Sequence, residues 1–389
     1  MPHAYFMEKA LQCAFSKIGI TSPNPPVGAV IADNEQILSC GGTQPFGCDH
    51  AEIHALSKAD MVPPSARMYV TLEPCCHYGK TPPCTNAIIE SGITDVYIGT
   101  IDPNPLVSGK GIKALQDAGV RVTILEEYGD ACRELIRPFY TLIQKKRPHI
   151  LHKSAMTLDG CTATRTKDSK WITSSDARAL VHRLRSLVDA VIIGKGTYLN
   201  DNPSLNVRQT DLAAPVRFSG ERSWFMETLA SADFGVRKEN PLRVIIGGPN
   251  DFKNANVFFD ENYLIFCRQK DSCRSLPAYV DPNRIIDLTV DSAVDSVYTV
   301  VAMLRKMGMM YCMLEGGAGL ASSFFNAGMI DEILYFFAPA LLGGGYPLFA
   351  RPEHDRIGQG HTVTGITNIH VGSDMGMYGT VGGSRCLPE

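Results

Sequence analysis

The stretch Thr71-Leu72-Glu73-Pro74-Cys75-Cys76-His77-Tyr78-Gly79-Lys80-Thr81-Pro82-Pro83-Cys84 follows a strand pattern over 68–72 and precedes a helix pattern that opens at Thr85 and closes at Gly92. The same alternation continues on either side of it. Upstream lie a helix pattern over 7–17, strands over 27–31 and 36–40 around an Asp33-Asn34 turn, and a helix from His50. Downstream come a strand over 96–100, a helix closed by Gly119 and a strand over 120–125. Gly92 and Gly119 stand where left-handed helix terminators are expected before the next strand. Repeated helix and strand units predict an α/β domain with a largely parallel sheet covered on both faces.

A second series follows the most charged local segment, Gln144-Lys145-Lys146-Arg147-Pro148. A new strand pattern starts at His149, so the expected domains are 1–147 and 148–389. In the second, strands over 149–156, 190–193, 242–246, 263–267, 284–288, 309–314 and 332–337 alternate with helices over 176–187, 294–307 and 320–327. A polar insertion at 209–240 receives no role.

Composition narrows the function. The 389 residues are 44% apolar and 20% charged, with 35 Gly and 24 Pro, the balance of a globular chain rather than a disordered one. A net charge of −3 gives no basic footprint for nucleic acid, so a small-molecule partner fits better. The uncharged stretch 333–350 contains Pro339, Gly343-Gly344-Gly345 and Pro347, which read as buried strand and loop rather than a membrane span. Glu8 and Lys9 interrupt the N-terminus before any signal-peptide core, so a cytoplasmic location is expected. The twelve Cys are then expected to be mostly reduced thiols.

His50-Ala51-Glu52 stands at a helix start, with Cys75 and Cys84 further along. One imidazole and two thiolates are suited to zinc, and three protein ligands leave a fourth tetrahedral position open, the mark of a catalytic site. Zinc lowers the pKa of water from about 15.7 towards about 7. Glu52 is placed to carry protons between water and a leaving amine, which requires that it not bind the metal itself. A structural zinc completed by Cys48, Cys76 or His77, or no metal at all, stays open at this level. His54 lies one turn from His50 and reads as helix packing, because the Glu position differs from the zincin pattern. His-x-Glu followed by Pro-Cys and a second Cys is the pattern of nucleobase zinc deaminases, except that eight residues rather than two separate Cys75 from Cys84.

With that spacing, residues 71–84 resemble the deaminase domain of the bifunctional riboflavin-biosynthesis deaminase/reductase family. Thr21-Ser22-Pro23-Asn24-Pro25-Pro26-Val27-Gly28 and Asp102-Pro103-Asn104-Pro105 are similar to that family's motifs at its spacings. Taken alone, Asn24 is a turn former and 102–105 a rigid loop. The resemblance instead implies a cytidine-deaminase-like α/β/α domain in which Asn24, Asp102 and Asn104 contact pyrimidine and ribose and Lys80 contacts the 5′-phosphate. Two departures stand out. Thr43 replaces the family's usual His, and Cys48-Asp49 replaces the Glu-Pro that usually precedes the zinc His.

In the second domain, Glu315-Gly316-Gly317-Ala318-Gly319 between a strand and a helix is a phosphate-binding layout, though also an ordinary tight connection. It lacks Gly-x-Gly-x-x-Gly, which argues against a Rossmann domain. Three segments, Ser154-Ala155-Met156-Thr157-Leu158-Asp159-Gly160, Asp168-Ser169-Lys170-Trp171-Ile172-Thr173-Ser174 and Thr197-Tyr198-Leu199-Asn200-Asp201-Asn202-Pro203-Ser204-Leu205, resemble the reductase domain of the same family. That implies a dihydrofolate-reductase-like α/β fold and NADPH. By resemblance, cofactor contacts fall at Ala155, Trp171, Thr197, Asp201 and the run Gly317, Ala318, Gly319, Leu320, Ala321, Ser322 and Ser323. Substrate contacts fall at Ser169, Arg185, Leu205, Arg208 and Glu315. Asn202 replaces an Asp common in the family.

The function implied is zinc-dependent hydrolytic deamination at C2 of 2,5-diamino-6-(5-phosphoribosylamino)pyrimidin-4-one, then NADPH-dependent reduction of the ribosyl to a ribityl chain. Glu52 is the proton carrier of the first step. No side chain in the second domain reads as an obligatory acid, so positioning is expected to dominate there. A homodimer or higher homo-oligomer is a family expectation. The alternatives are a monofunctional zinc nucleoside or tRNA deaminase with a non-catalytic C-terminal domain, a regulatory module with structural zinc, and an NADPH reductase with an inactive zinc domain.

Overall fold

A computed structural model describes residues 2–208, 210–232, 234–235, 240–247, 256–267, 277–290, 292–350 and 360–384. The chain divides into two compact units, Met1–Arg147 and Pro148–Glu389. The ten described cysteines are free thiols.

In the first unit the elements run α1 (Pro2–Phe15), β1 (Gly28–Asp33), β2 (Gln36–Gly42), α2 (Ala51–Leu56), β3 (Arg67–Val70), α3 (Cys84–Glu90), β4 (Asp95–Ile98), α4 (Lys110–Asp117), β5 (Arg121–Ile124) and α5 (Gly129–Lys145). The sheet order is β2-β1-β3-β4-β5. Its strands β3, β4 and β5 are parallel, but β1 is antiparallel to both β2 and β3. The expectation of a largely parallel sheet is therefore corrected to a mixed one. The cause lies in the connections. Asn34, at φ 52°, turns β1 straight back into β2, whereas a helix joins β3 to β4 and β4 to β5 and returns the chain to the same end.

Close packing holds the site-bearing helix to this sheet. A Cβ at Gly41 on β2 would lie 2.4 Å from the Ala55 backbone nitrogen and 2.5 Å from the Ala51 oxygen, so only glycine lets α2 approach. Helix α5 is absent from the sequence reading, which treats its end as a charged boundary segment. Cys132, Leu135, Ile136 and Phe139 fall at helical spacing and are buried. Pro138 interrupts that pattern, and the cations at 145–147 mask it. The charged run is in fact a helix C-terminus, where Lys145 faces the negative end of the dipole and Lys146 turns left-handed at φ 56°.

The second unit comprises β6 (His149–Thr157), β7 (Cys161–Ala163), α6 (Ser175–Arg185), β8 (Ala190–Gly194), α7 (Lys195–Asp201), β9 (Arg217–Gly220), α8 (Trp224–Leu229), β10 (Leu242–Ile246), β11 (Tyr263–Cys267), β12 (Ile285–Asp287), α9 (Ala293–Lys306), β13 (Tyr311–Leu314), α10 (Ala318–Asn326), β14 (Glu332–Ala338), β15 (Tyr346–Pro347), β16 (His361–Val371) and β17 (Asp374–Ser384). A ten-stranded sheet has the order β12-β11-β10-β8-β13-β6-β14-β17-β16-β9. The strands from β12 to β14 are parallel, and the last three pairings are antiparallel. Ile150, Ile192, Val244, Phe266 and Leu314 from the parallel strands pack with Val297, Val300 and Phe324 from α9 and α10.

The hairpin β16–β17 is not announced by sequence, because glycine and threonine dilute its apolar stripe, although Ile369, Val371 and Tyr378 are buried. Part of the 209–240 insertion is structured: β9 pairs with β16, and α8 buries Phe225, Met226 and Leu229. Residues 209, 233 and 236–239 of that insertion lie outside the described residues. The stretch 333–350 is buried strand only to Ala338, and its loop exposes Leu341 and Leu342. Among the described residues no helix is long and apolar enough to cross a membrane.

Candidate functional site

In the first unit, three ligand atoms converge beside the N-terminal ends of two helices. His50 is the N-cap of α2 and spends no side-chain bond on capping, while Cys84 is the first residue of α3. His50 Nδ1 lies 3.5 Å from Cys75 Sγ and 3.4 Å from Cys84 Sγ. Tetrahedral zinc at about 2.3 Å from sulfur and about 2.0–2.1 Å from nitrogen sets neighbouring S and N ligands about 3.6 Å apart, so the donor set fits that ion. Among the described residues no fourth His, Cys, Asp or Glu joins the cluster. Cys48, Cys76 and His77 stand outside it, against the closed structural site. His54 is also outside, with Nδ1 engaged by Gly42 and Gln44.

The electrostatics prepare these groups for a cation. The hydrogen bond with Cys84 draws Cys75 down to about 4 against the effect of burial, with His50 adding to the fall. The same bond, followed by burial, pushes Cys84 up, so the pair shares one proton. His50 rises to about 8 through its bond to Cys75. A bound metal would compete with these protons. Glu52, only 4% exposed, rises to about 7, chiefly through burial and then through the Cys75 charge. A carboxyl titrating near neutrality can take up and return a proton, and Glu52 is not a member of the ligand cluster.

His50, Glu52 and Cys75 line a cavity of about 210 Å³ together with Asn24, Lys80, Asp102 and Asn104. Asp102 Oδ1 accepts the Asn104 backbone N–H at 2.7 Å, and Asn104 Oδ1 accepts that of Leu106 at 3.1 Å. The Asn104 oxygen is thereby occupied within the turn, and its NH2 is left as a donor. Burial raises Asp102 to about 6, with the bond from Asn104 opposing. Lys80 Nζ sits 3.9 Å above the ring of Phe46, which also lines the cavity. Phe46 carries no spacing signal and is invisible in sequence. Thr43 is committed to the fold, accepting the Val27 N–H at 3.1 Å.

The second unit holds a cleft of about 850 Å³ where Gly194, Ile246 and Glu315 mark the C-terminal ends of β8, β10 and β13. Open parallel sheets bind ligands there. Ala155, Trp171, Thr197, Asp201, Gly317, Ala318, Gly319, Leu320 and Ser323 line it, as do Ser169, Arg185, Leu205, Arg208 and Glu315. Ala321 and Ser322, the remaining members of the 317–323 run, do not line it. Successive helical residues turn by about 100°, which places both on the buried face of α10, where Ser322 Oγ accepts the Ala350 N–H.

This cleft fits a dinucleotide phosphate. Gly317 caps α10 and donates its N–H to Thr197 Oγ1 at 3.1 Å. A Cβ at Gly196 or Gly319 would meet no protein atom within 4 Å, so both leave open space beside the backbone. Seven cations, Lys153, Lys167, Lys170, Arg178, Arg185, Lys195 and Arg208, face two carboxylates, Asp201 and Glu315, a balance suited to several phosphates.

Deeper in this lining, Arg185 donates from Nε and Nη2 to Glu315 Oε1 at 3.1 and 2.8 Å and from Nη1 to Asn206 O and His182 Nδ1. One of its five N–H groups is therefore left for a ligand. Burial alone would raise Glu315, but Arg185 and then Lys153 outweigh it and hold the carboxyl below its usual range. Lys153 Nζ lies 3.8 Å from Glu315 Oε2, and burial lowers its pKa despite that partner. Lys153 is absent from the sequence reading. Its signal is a charged residue inside the strand pattern 149–156, where an apolar one is ordinary.

Comparison with known proteins places both halves. The model for the RibD C-terminal domain matches residues 148–370, and that for the cytidine and deoxycytidylate deaminase zinc-binding region matches 1–100. The chain is 38% identical over 355 residues to the riboflavin biosynthesis protein RibD of Corynebacterium ammoniagenes, covering 90% of each. It is 36% identical over 346 residues to that of Aquifex aeolicus, covering 87% of this chain and 88% of the other. A solved Thermotoga maritima structure, described as a diaminohydroxyphosphoribosylaminopyrimidine deaminase/5-amino-6-(5-phosphoribosylamino)uracil reductase, has a TM-score of 0.78 at 31% identity over 98% of this chain and 99% of that one. Acinetobacter baumannii RibD gives 0.76 at 30% identity with the same coverage.

Proposed function

Because the chain belongs to the RibD family of riboflavin-biosynthesis proteins, we propose that its two sites act in succession on one pyrimidine ribose phosphate. The protein is a bifunctional enzyme, a zinc-dependent deaminase and an NADPH-dependent reductase. The monofunctional alternative is set aside because the relatives align through both halves. One observation carries the proposal: a three-ligand soft-metal cluster with a proton carrier and a cationic nucleotide-sized cleft occur in the same chain.

The first substrate is 2,5-diamino-6-(5-phosphoribosylamino)pyrimidin-4-one, and its product is the corresponding uracil. His50, Cys75 and Cys84 would hold zinc, which would supply the Lewis acidity that makes water a nucleophile at neutral pH. Glu52 takes the proton released as water adds to C2 and returns it to the departing amine, so that ammonia leaves. Asn24, Asp102 and Asn104 hold the ring and ribose. Lys80, steadied over Phe46, meets the 5′-phosphate.

In the second unit, bound NADPH would supply hydride for reduction at ribose C1′. As the C1′–O4′ bond breaks, O4′ needs a proton. Lys153 is placed to give it, since burial makes its ammonium a readier donor than an ordinary lysine. Glu315 orients Lys153 and is itself fixed by Arg185. Arg208, exposed at the cleft, supplies charge for the substrate phosphate. Ala155, Trp171, Thr197, Asp201 and the 317–323 segment would hold the cofactor. The resemblance also supports a cytoplasmic homodimer or higher homo-oligomer.

Chelation tests this division. Stripping the metal is expected to end ammonia release while NADPH oxidation with the already deaminated substrate continues, and added zinc restores the first activity. Equal loss of both activities on chelation, with the fold intact, would contradict separate sites.

A further inference from the structure

Glu73 takes no part in the chemistry above, yet the residue is only 3% exposed and both its carboxylate oxygens are engaged. It accepts backbone N–H groups from Asp102 at 3.3 Å, Gly109 at 2.9 Å, Gly111 at 2.9 Å and Ile112 at 3.1 Å. We infer that Glu73 is a positioning residue for the deaminase, fixing the 102–112 segment, and with it Asp102 and Asn104, relative to the metal ligand Cys75.

The reasoning begins with helix α4. Its first N–H groups have no intrahelical partner and are ordinarily satisfied by the side chain of the N-cap residue. Here the N-cap is Gly109, in the left-handed conformation at φ 76°, and makes no side-chain cap. Glu73, just beyond the end of β3, caps this helix from a distant part of the chain. A carboxylate is favoured at a helix N-terminus, and its bonds to N–H groups are charge-assisted.

The fit is tight as well as polar. A Cβ at Gly111 would lie 2.1 Å from Pro74 O and 3.1 Å from Glu73 Oε1, so glycine alone lets α4 close on the Glu73-Pro74 backbone. From Glu73 the placement passes along the loop through linked turns. Glu73 holds the Asp102 N–H, Asp102 holds that of Asn104, and Asn104 holds that of Leu106. Two residues beyond Glu73, past the rigid Pro74, stands Cys75. One carboxylate thus joins the segment that carries a metal ligand to the segment that faces the pyrimidine.

The inference rests on the reading of Asn104 as a substrate contact, so its test separates the two. Glu73→Gln keeps the shape but presents an NH2 to backbone donors. In the full-length zinc-loaded chain, KM for the diaminopyrimidine phosphate is expected to rise about tenfold or more, with kcat within about threefold. Zinc stays at one per chain, and reductase activity is unchanged. In an Asn104→Ala background the same substitution is expected to raise KM less than about threefold, because the contact it positions is already gone. An unchanged KM in Glu73→Gln, or effects of the two substitutions that multiply in full, would overturn the positioning role and leave a purely structural cap. If Asn104→Ala alone leaves KM unaltered, the substrate reading of the loop fails and this inference falls with it. Should Glu73→Gln lose zinc or its fold, Gly111→Ala keeps the carboxylate but crowds it and Pro74 O, displacing α4, and is judged by the same two criteria.

Discussion

Replacing Glu52 with Gln is expected to lower ammonia release by about a thousandfold or more, at the upper end of what a positioned acid–base group supplies. Zinc content and NADPH-dependent reduction of the deaminated substrate stay as in the parent chain. The amide matches the carboxyl in size but cannot accept a proton from water or return one to the departing amine. Stability should not suffer. Burial already disfavours the charged form of Glu52, raising it to about 7, so a neutral amide removes an unfavourable charge. Ammonia release at the parental rate in a zinc-loaded Glu52→Gln protein would remove Glu52 from the mechanism.

The second large effect is expected at Lys153. Lys153→Met should lower kcat of the reduction by about a hundredfold to a thousandfold while NADPH binding, read by quenching of protein fluorescence, is retained. Lys153→Arg should fare little better, because a guanidinium does not release its proton in the working range. The parent enzyme's pH profile carries the same information. An acid works only while protonated, so the rate falls as pH rises through the Lys153 pKa. Burial places that limb below the ordinary lysine range. A profile flat to strongly alkaline pH, or a Lys153→Met enzyme with unchanged kcat, would return the reduction to positioning alone.

These two residues show what a sequence discloses and what it conceals. His50, Glu52, Cys75 and Cys84 are legible because metal chemistry restricts residue type and spacing, and the structure brings the three ligand atoms to within 4.8 Å of one another. Most expected cleft residues also line the cleft, since they lie in turns at strand ends that the resemblance marks. Ala321 and Ser322 belong to the same expected run but turn away from the cleft lining, because a helix presents only some of its consecutive residues to one side. Lys153 and Glu73 are hidden for a different reason. Each depends on neighbours distant in sequence, Lys153 on Glu315 and Glu73 on the N–H groups of 102–112, and no local pattern records such pairings.

The fold follows the same division. Strands β10 and β11 are legible to the residue because buried parallel strands are continuous apolar runs. The antiparallel placement of β1, the helix α5 with its internal Pro138, and the glycine-rich β16–β17 hairpin depend on tertiary pairing or packing that outweighs local preference. The insertion at 209–240 makes the point in miniature. Its strand β9 is only four residues long and exists as the edge partner of β16.

The most direct test of the central claim is a coupled assay on the purified, zinc-loaded chain with 2,5-diamino-6-(5-phosphoribosylamino)pyrimidin-4-one, recording ammonia release and NADPH oxidation separately. Ammonia release followed by an equimolar loss of NADPH is the predicted result. Ammonia without NADPH loss, NADPH loss without ammonia, or neither signal from a folded and metal-replete protein would contradict two successive activities in one chain.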